Sequence, residues 1–237
     1  MSYAGPVSTP DIAANLERVR ASIADAVARR GAGPEVTLIG VGKRHPPAAL
    51  RIAAQAGLHD LGENYAQELA SKLAAPELAG LPIRWHFIGG LQSNKVKLVA
   101  GHATIHTVDR ASLVAAIAGR ARATGVTPEV LVEVNLGGEA QKAGVAPGGL
   151  EAVLDAIAAE HGALRCVGLM LIPPDETPQR TRPYFAALRE LAARTGPRPH
   201  VELRALSMGM SGDFVEAIAE GATMVRVGTA IFGARPG

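Results

Sequence analysis

Cysteine is almost missing from this chain. Cys166 is the sole example among 237 residues, which excludes an intrachain disulfide and any multi-cysteine metal site and points to a reducing compartment, so a cytoplasmic location is expected. Aromatic residues make up 3%, too few to furnish the stacking platforms on which single-stranded nucleic acid is held. Charge of one sign is lacking as well. The 24 Lys and Arg against 22 Asp and Glu leave a formal net charge of +2, a small surplus rather than a basic field able to bind nucleic acid. No apolar run reaches the length of about eighteen residues that a membrane span needs, and residues 1–10 hold no basic segment followed by an apolar one. Neither membrane insertion nor secretion is expected. Lysine is scarce too, with Lys43, Lys72, Lys95, Lys97 and Lys142 its five occurrences, so chemistry that needs a primary amine has five candidates.

What is present is core-forming material. With 48% hydrophobic residues and 19% charged, the composition is that of a compact soluble protein, and the length suits one domain. Residues 9–30 carry Ile12, Leu16, Val19, Ile23 and Val27 at three- and four-residue steps, one apolar stripe of a helix, with Thr9 as N-cap and Pro10 behind it. After it, short β-branched runs alternate with longer amphipathic ones. Strands are predicted at 36–41, 59–61, 84–88, 104–108, 130–135, 164–171, 203–206 and 223–227, and helices at 48–56, 65–74, 93–100, 110–123, 149–161, 178–194 and 212–220. Strands alternating with helices imply a parallel sheet, either an open doubly wound one or a closed barrel. Residues 228–237 are too few for an ordinary closing helix, whereas 9–30 supply an extra helix ahead of the first strand. That pairing favours a single (β/α)8 barrel spanning 9–237, with the N-terminal helix completing the outer ring and 1–8 as a flexible tail.

In such a barrel the functional groups belong to the loops after the strands. Lys43 stands there, after the first strand and ahead of Arg44-His45-Pro46-Pro47. A partly desolvated amine beside other cations suits nucleophilic Schiff-base chemistry, although a plain surface lysine at a turn fits the same pattern. Lys72, Lys95 and Lys97 fall in helices, and Lys142 in a glycine-rich loop. After the last two strands come Ser207-Met208-Gly209-Met210-Ser211-Gly212-Asp213 and Gly228-Thr229-Ala230-Ile231-Phe232-Gly233. Barrels commonly bind phosphate in these two loops, where glycines let the backbone approach an oxyanion, and Ser207, Gly228 and Thr229 are the expected contacts. Arg226 interrupts an otherwise apolar strand and must be paired across the rim or hold a ligand. Asn64 either donates into the site or helps Glu63 cap the next helix. His86 reads as a satisfied core histidine, and Trp85 and Phe87 as packing. The histidines form no metal-binding cluster, and Ser211 does not sit in a G-x-S-x-G elbow.

Six ordered motifs carry a resemblance. Val41-Gly42-Lys43, Gly62-Glu63-Asn64-Tyr65, Trp85-His86-Phe87-Ile88-Gly89, Leu91-Gln92-Ser93-Asn94-Lys95, the Ser207 to Asp213 segment and Val225-Arg226-Val227-Gly228-Thr229-Ala230-Ile231-Phe232-Gly233 together resemble the pyridoxal phosphate homeostasis protein family. The resemblance runs from about Asn15 to Gly233. It implies a barrel like the N-terminal domain of alanine racemase, with pyridoxal 5′-phosphate held as a Schiff base on Lys43. It further implies phosphate binding by Ser207, Gly228 and Thr229, Arg226 facing the pyridine nitrogen and Asn64 lining the ring. An arginine there keeps the nitrogen unprotonated and weakens the cofactor as an electron sink. Five positions depart from the family pattern: Gly42 where Ser is common, Arg44-His45 for a Thr-Lys pair, Gly90 where His is usual, and Gly138 where Ser is frequent.

The reading that follows is a carrier that delivers the cofactor to apo-enzymes without turnover of its own. Racemases of this barrel type draw an opposing tyrosine base from a second domain for which this chain has no room, and Tyr65 and Tyr184 fall in predicted helices. A small racemase or Schiff-base aldolase is the alternative. No heptad run marks an interface, so a monomer is expected.

Overall fold

The computed structural model describes residues 11–139 and 141–234. Eight parallel strands, each paired with the next and the last with the first, close into a barrel in the order β1 to β8. They are β1 (Thr37–Val41), β2 (Asp60–Glu63), β3 (Arg84–Phe87), β4 (Ala103–Val108), β5 (Glu129–Glu133), β6 (Arg165–Met170), β7 (Val201–Met210) and β8 (Met224–Val227). The closing pair sets Ile39 opposite Arg226 and Gly40 opposite Val227. Helices cover the outside: α1 (Ile12–Arg30), α2 (Pro47–Gln55), α3 (Ala66–Leu73), α4 (Ala111–Thr124), α5 (Leu150–Ala158), α6 (Pro178–Arg194), α7 (Phe214–Ala219) and the four-residue α8 (Thr229–Phe232). Among the described residues no helix is long and apolar enough to cross a membrane.

The N-terminal helix takes the place the short C-terminal one leaves open. α1 packs against α7, α8 and α2 and buries Ile12, Leu16, Val19, Ile23 and Ala26. Its N-cap is Asp11, whose carboxylate accepts the Ala14 N–H at 3.0 Å, where Thr9 was expected. Thr9, Pro10 and the 1–8 tail lie outside the described residues. In its first turn the side-chain amide of Asn15 donates to the Ile231 carbonyl at 2.9 Å, tying the first helix to the last.

Two elements differ from expectation, and the second moves a residue of the site. Between β3 and β4 the chain forms a 3-10 helix, Ser93–Leu98, rather than an α-helix, in keeping with Ser93, Asn94 and the β-branched Val96, which favour local turns over regular helix. β7 runs to Met210 instead of ending at 206. Ser207 and Gly209 read as turn residues, but here they continue the strand, and a register shift against β8 between Ser207 and Met210 absorbs the irregularity.

Candidate functional site

Lys43 lies in a tight turn at the C-terminal end of β1. The Gly42 N–H donates to the Gly62 carbonyl at 2.9 Å, and the His45 N–H donates back to the Gly42 carbonyl at 2.8 Å. Pro46 and Pro47 then start α2. The Lys43 side chain is half-buried, with Nζ 5.0 Å from the centre of the Tyr65 ring, a cation–π contact. Tyr65 therefore stands beside the lysine, at the N-cap of α3 rather than inside a helix.

A second lysine braces the first. Lys72 is 3% exposed, and its Nζ donates to the Gly42 carbonyl at 2.8 Å, to Glu63 Oε1 at 2.5 Å and to Glu68 Oε1 at 2.8 Å. Glu68 Oε1 also accepts the Arg44 N–H at 2.6 Å, so the residues on both sides of Lys43 hang from one buried cluster. Arg44 adopts φ 63°, a left-handed conformation that a non-glycine residue holds only when its surroundings enforce it. Burial pushes the Glu63 carboxyl up to about 7 against the pull of Lys72, and its Oε2 has no hydrogen-bond partner. A Cβ at position 42 would stand 2.7 Å from Glu63 Oε1, which accounts for Gly42. In the sequence Lys72 is one more polar residue of an amphipathic helix; its spacing to Glu68 is visible, but the reach to Gly42 depends on the fold.

The turn opens onto a cleft of about 290 Å³ at the C-terminal ends of the strands. The cleft brings together Lys43, Asn64, Arg226, Gly228 and Thr229, all singled out in the sequence. Ser207 is not among its lining residues. Because β7 extends to Met210, Ser207 sits wholly buried inside the barrel with its hydroxyl engaged by His106 and Arg226. The serine at the cleft is Ser211, whose Oγ accepts the Gly228 N–H at 3.4 Å and which lines the cleft beside Gly212. Ser207, expected at the phosphate, thus stands buried behind the cleft, and Ser211 lines it.

Arg226 is 3% exposed. It donates from Nη1 to Ser207 Oγ at 2.7 Å and from Nη2 to the Leu171 carbonyl at 2.9 Å, engaging two of its five N–H donors. Burial lowers its pKa to about 10 despite the opposing fields of Glu133 and Asp213, so it stays charged at neutral pH. No described carboxylate forms an ion pair with it. Asn64 Oδ1 is buried without a hydrogen-bond partner, an acceptor that costs stability unless a ligand satisfies it. Its backbone passes so close to Gly89 that a Cβ there would lie 2.0 Å from the Asn64 carbonyl oxygen. Glu133 lines an adjoining pocket that shares Asn64, Ile88 and Ile172 with the cleft, and burial together with Asp109 raises its pKa to about 7. Cys166 is buried and its thiol pushed up to about 12, which leaves it inert at neutral pH. Among the described residues no three His, Cys, Asp or Glu side chains converge on a metal position.

A barrel with a lysine after its first strand and a glycine-bordered cleft at its last two falls in a recognisable class, that of the alanine racemase N-terminal domain, whose family model matches residues 11–236. Within that class the chain belongs to the pyridoxal phosphate homeostasis protein family. It is 45% identical over 229 residues to the protein of that name from Pseudomonas aeruginosa, covering 94% of this chain and 96% of that one. The counterpart from Aquifex aeolicus is 44% identical over 223 residues, covering 93% and 96%. Among solved structures, PipY of Synechococcus elongatus with pyridoxal phosphate bound superposes with a TM-score of 0.80 at 38% identity, over 94% of this chain and 100% of that one.

Proposed function

We propose that this protein is a carrier of pyridoxal 5′-phosphate, holding the cofactor as a Schiff base on Lys43 and serving its supply to apo-enzymes without turnover of its own. The observation that carries the reading is the cleft itself. One half-buried amine and one buried guanidinium, together with Asn64, line a space bordered by Ser211, Gly212, Gly228 and Thr229. Pyridoxal phosphate supplies an aldehyde that condenses with a primary amine, a ring nitrogen that accepts a hydrogen bond, and a phosphate dianion. Lys43 would provide the amine and Arg226 the donor to the ring nitrogen. Ser211, Gly228 and Thr229 would hold the phosphate, and Asn64 would line the ring.

The absence of turnover is supported by what the cleft wall offers. Moving a proton from one face of a carbon to the other takes two acid–base groups. Of the described residues lining the cleft, Lys43 supplies an amine, Arg226 stays charged near neutrality, and the others are apolar, amide or hydroxyl side chains and glycines. One observation favours the rival racemase or aldolase reading: Glu133, in the adjoining pocket, has a carboxyl raised to about 7, a value that suits general acid–base work.

Purified protein mixed with pyridoxal phosphate should develop a yellow absorption band that Lys43→Ala abolishes, and a band retained in that variant would refute the assignment of Lys43. Incubation of the loaded protein with L- or D-alanine should leave the enantiomer unchanged. Racemisation that disappears in Glu133→Gln would replace the carrier reading with the enzymatic one. The reading also has the protein act as a cytoplasmic monomer, for which light scattering should return about 24.4 kDa; twice that mass would contradict it.

A further inference from the structure

Barrels of this kind are commonly filled by layers of bulky apolar side chains, yet five polar side chains line up across the inside of this one. Arg226 on β8 donates to Ser207 Oγ on β7 at 2.7 Å. Ser207 Oγ lies 2.9 Å from His106 Nδ1 on β4. Because β4 and β7 are not neighbours in the sheet, that link crosses the lumen. His106 Nε2 is 2.9 Å from His86 Nδ1 on β3, and His86 Nε2 is 3.1 Å from Asp60 Oδ1, at the start of β2. There Arg84 closes the series with Nε at 2.8 Å from Oδ1 and Nη2 at 2.5 Å from Oδ2. The five side chains from Arg226 to Asp60 are all buried.

The two ends fix the direction of every bond between them. A guanidinium only donates and a carboxylate only accepts. Asp60 can only accept, so the proton facing it lies on His86 Nε2. With one proton per ring, His86 Nδ1 then accepts from His106 Nε2, and His106 Nδ1 accepts from the Ser207 hydroxyl, whose oxygen accepts from Arg226. One proton in each gap satisfies every member of the chain. An added proton on either ring would put two protons into one gap or turn Ser207 away from His106. Burial above all holds His106 well below the ordinary histidine range, with Arg226 adding to it, which agrees with an uncharged ring there. Hydrogen bonds from His86 and Arg84 outweigh burial and draw Asp60 down to about 2.

We propose that His106 and His86 are positioning residues for Arg226: through Ser207 they form a one-way hydrogen-bond chain from Asp60 that fixes the plane of the guanidinium at the cleft. With Nη1 held by the chain and Nη2 by the Leu171 carbonyl, the remaining donors keep one orientation toward whatever ring occupies the cleft. The last link, from Arg226 to a ring nitrogen, rests on the pyridoxal phosphate reading; the chain itself does not.

Two measurements separate those claims. Imidazole nitrogen NMR of the full-length protein without cofactor, near pH 8, should show His86 and His106 both neutral and both protonated on Nε2. A proton on Nδ1 of either ring would overturn the chain. In Asp60→Ala the fixed Nε2–H form of the two rings should be lost, and its retention would show that the carboxylate does not set it. Reconstitution with pyridoxal phosphate reads the outcome at the cleft. Ser207→Ala and His106→Gln should each weaken binding about tenfold, as loss of one buried hydrogen bond does, and shift the visible band. The double variant should be no worse than the worse single one, because both break the same chain. Wild-type affinity and band position in both single variants, or multiplying effects in the double, would reduce the chain to a structural feature. If the wild-type protein takes up no pyridoxal phosphate, the carrier reading fails while the tautomer result still decides the chain.

Discussion

Lys72 shows how a single residue can matter without touching the cleft. Its ammonium holds the carbonyl before Lys43 and, through Glu68, the N–H after it. Lys72→Met should therefore destabilise the protein by about 3 kcal/mol, the usual cost of leaving a buried charge unpaired, and should lower affinity for pyridoxal phosphate. Urea unfolding and a binding titration read the two effects, and wild-type values in both would dismiss the brace. Glu133 makes a pH prediction. In the unfolded chain its carboxyl ionises near 4.5, while burial and Asp109 keep it protonated to about 7 in the fold. The folded state then binds more protons across that interval, so the stability this group contributes is whole below pH 4.5 and is lost as the pH rises to 7, about 3 kcal/mol in all. Unfolding free energies measured from pH 4.5 to 7 should fall, and Glu133→Gln should flatten that part of the profile; an unchanged slope would contradict the assignment. At this scale Lys43, Asn64, Arg226, Gly228 and Thr229 were legible as residues of the cleft lining because strand ends and special residue types mark them. The burial of Ser207 was not legible because it depends on where β7 stops, and the lumen chain was hidden because β4 and β7 meet only across the closed barrel.

Among the elements, α1 stands where a barrel of ordinary βα order would carry a long last helix. Leu16, fully buried on α1, should cost about 3 kcal/mol when cut to Ala, as core leucines do, and Asp11→Ala should cost about 1 kcal/mol through loss of the N-cap. Thermal unfolding checks both, and a neutral Leu16→Ala would mean that α1 is not part of the cooperative fold. The passage from β7 to α7 depends on Gly209. It has φ 89°, and a Cβ would lie 2.6 Å from the Ala217 Cβ and 2.9 Å from the Phe214 Cα. Gly209→Ala should disturb the end of β7 and with it Ser211, weakening phosphate-dependent binding more than binding of pyridoxal itself; equal losses for the two ligands would show that this strand end does not serve the phosphate. The strand and helix order was readable because apolar periodicity changes cleanly between β and α runs. The ends of β7 and the 3-10 segment Ser93–Leu98 were not, since Ser, Gly and Asn carry opposite meanings inside a barrel and at its rim.

For the molecule as a whole, scarcity of lysine turns into a test of the entire account. Five lysines are spread over the chain. Lys43 lines the cleft, Lys72 is locked in ion pairs below it, Lys95 and Lys97 lie on the Ser93–Leu98 segment, and Lys142 pairs with Glu139. If the barrel is built to hold pyridoxal phosphate on one amine, borohydride reduction of the loaded protein followed by proteolysis and peptide mass analysis should find a single pyridoxyl adduct, on Lys43. An adduct chiefly on Lys72, Lys95, Lys97 or Lys142, or no adduct after a yellow band has formed, would contradict the account.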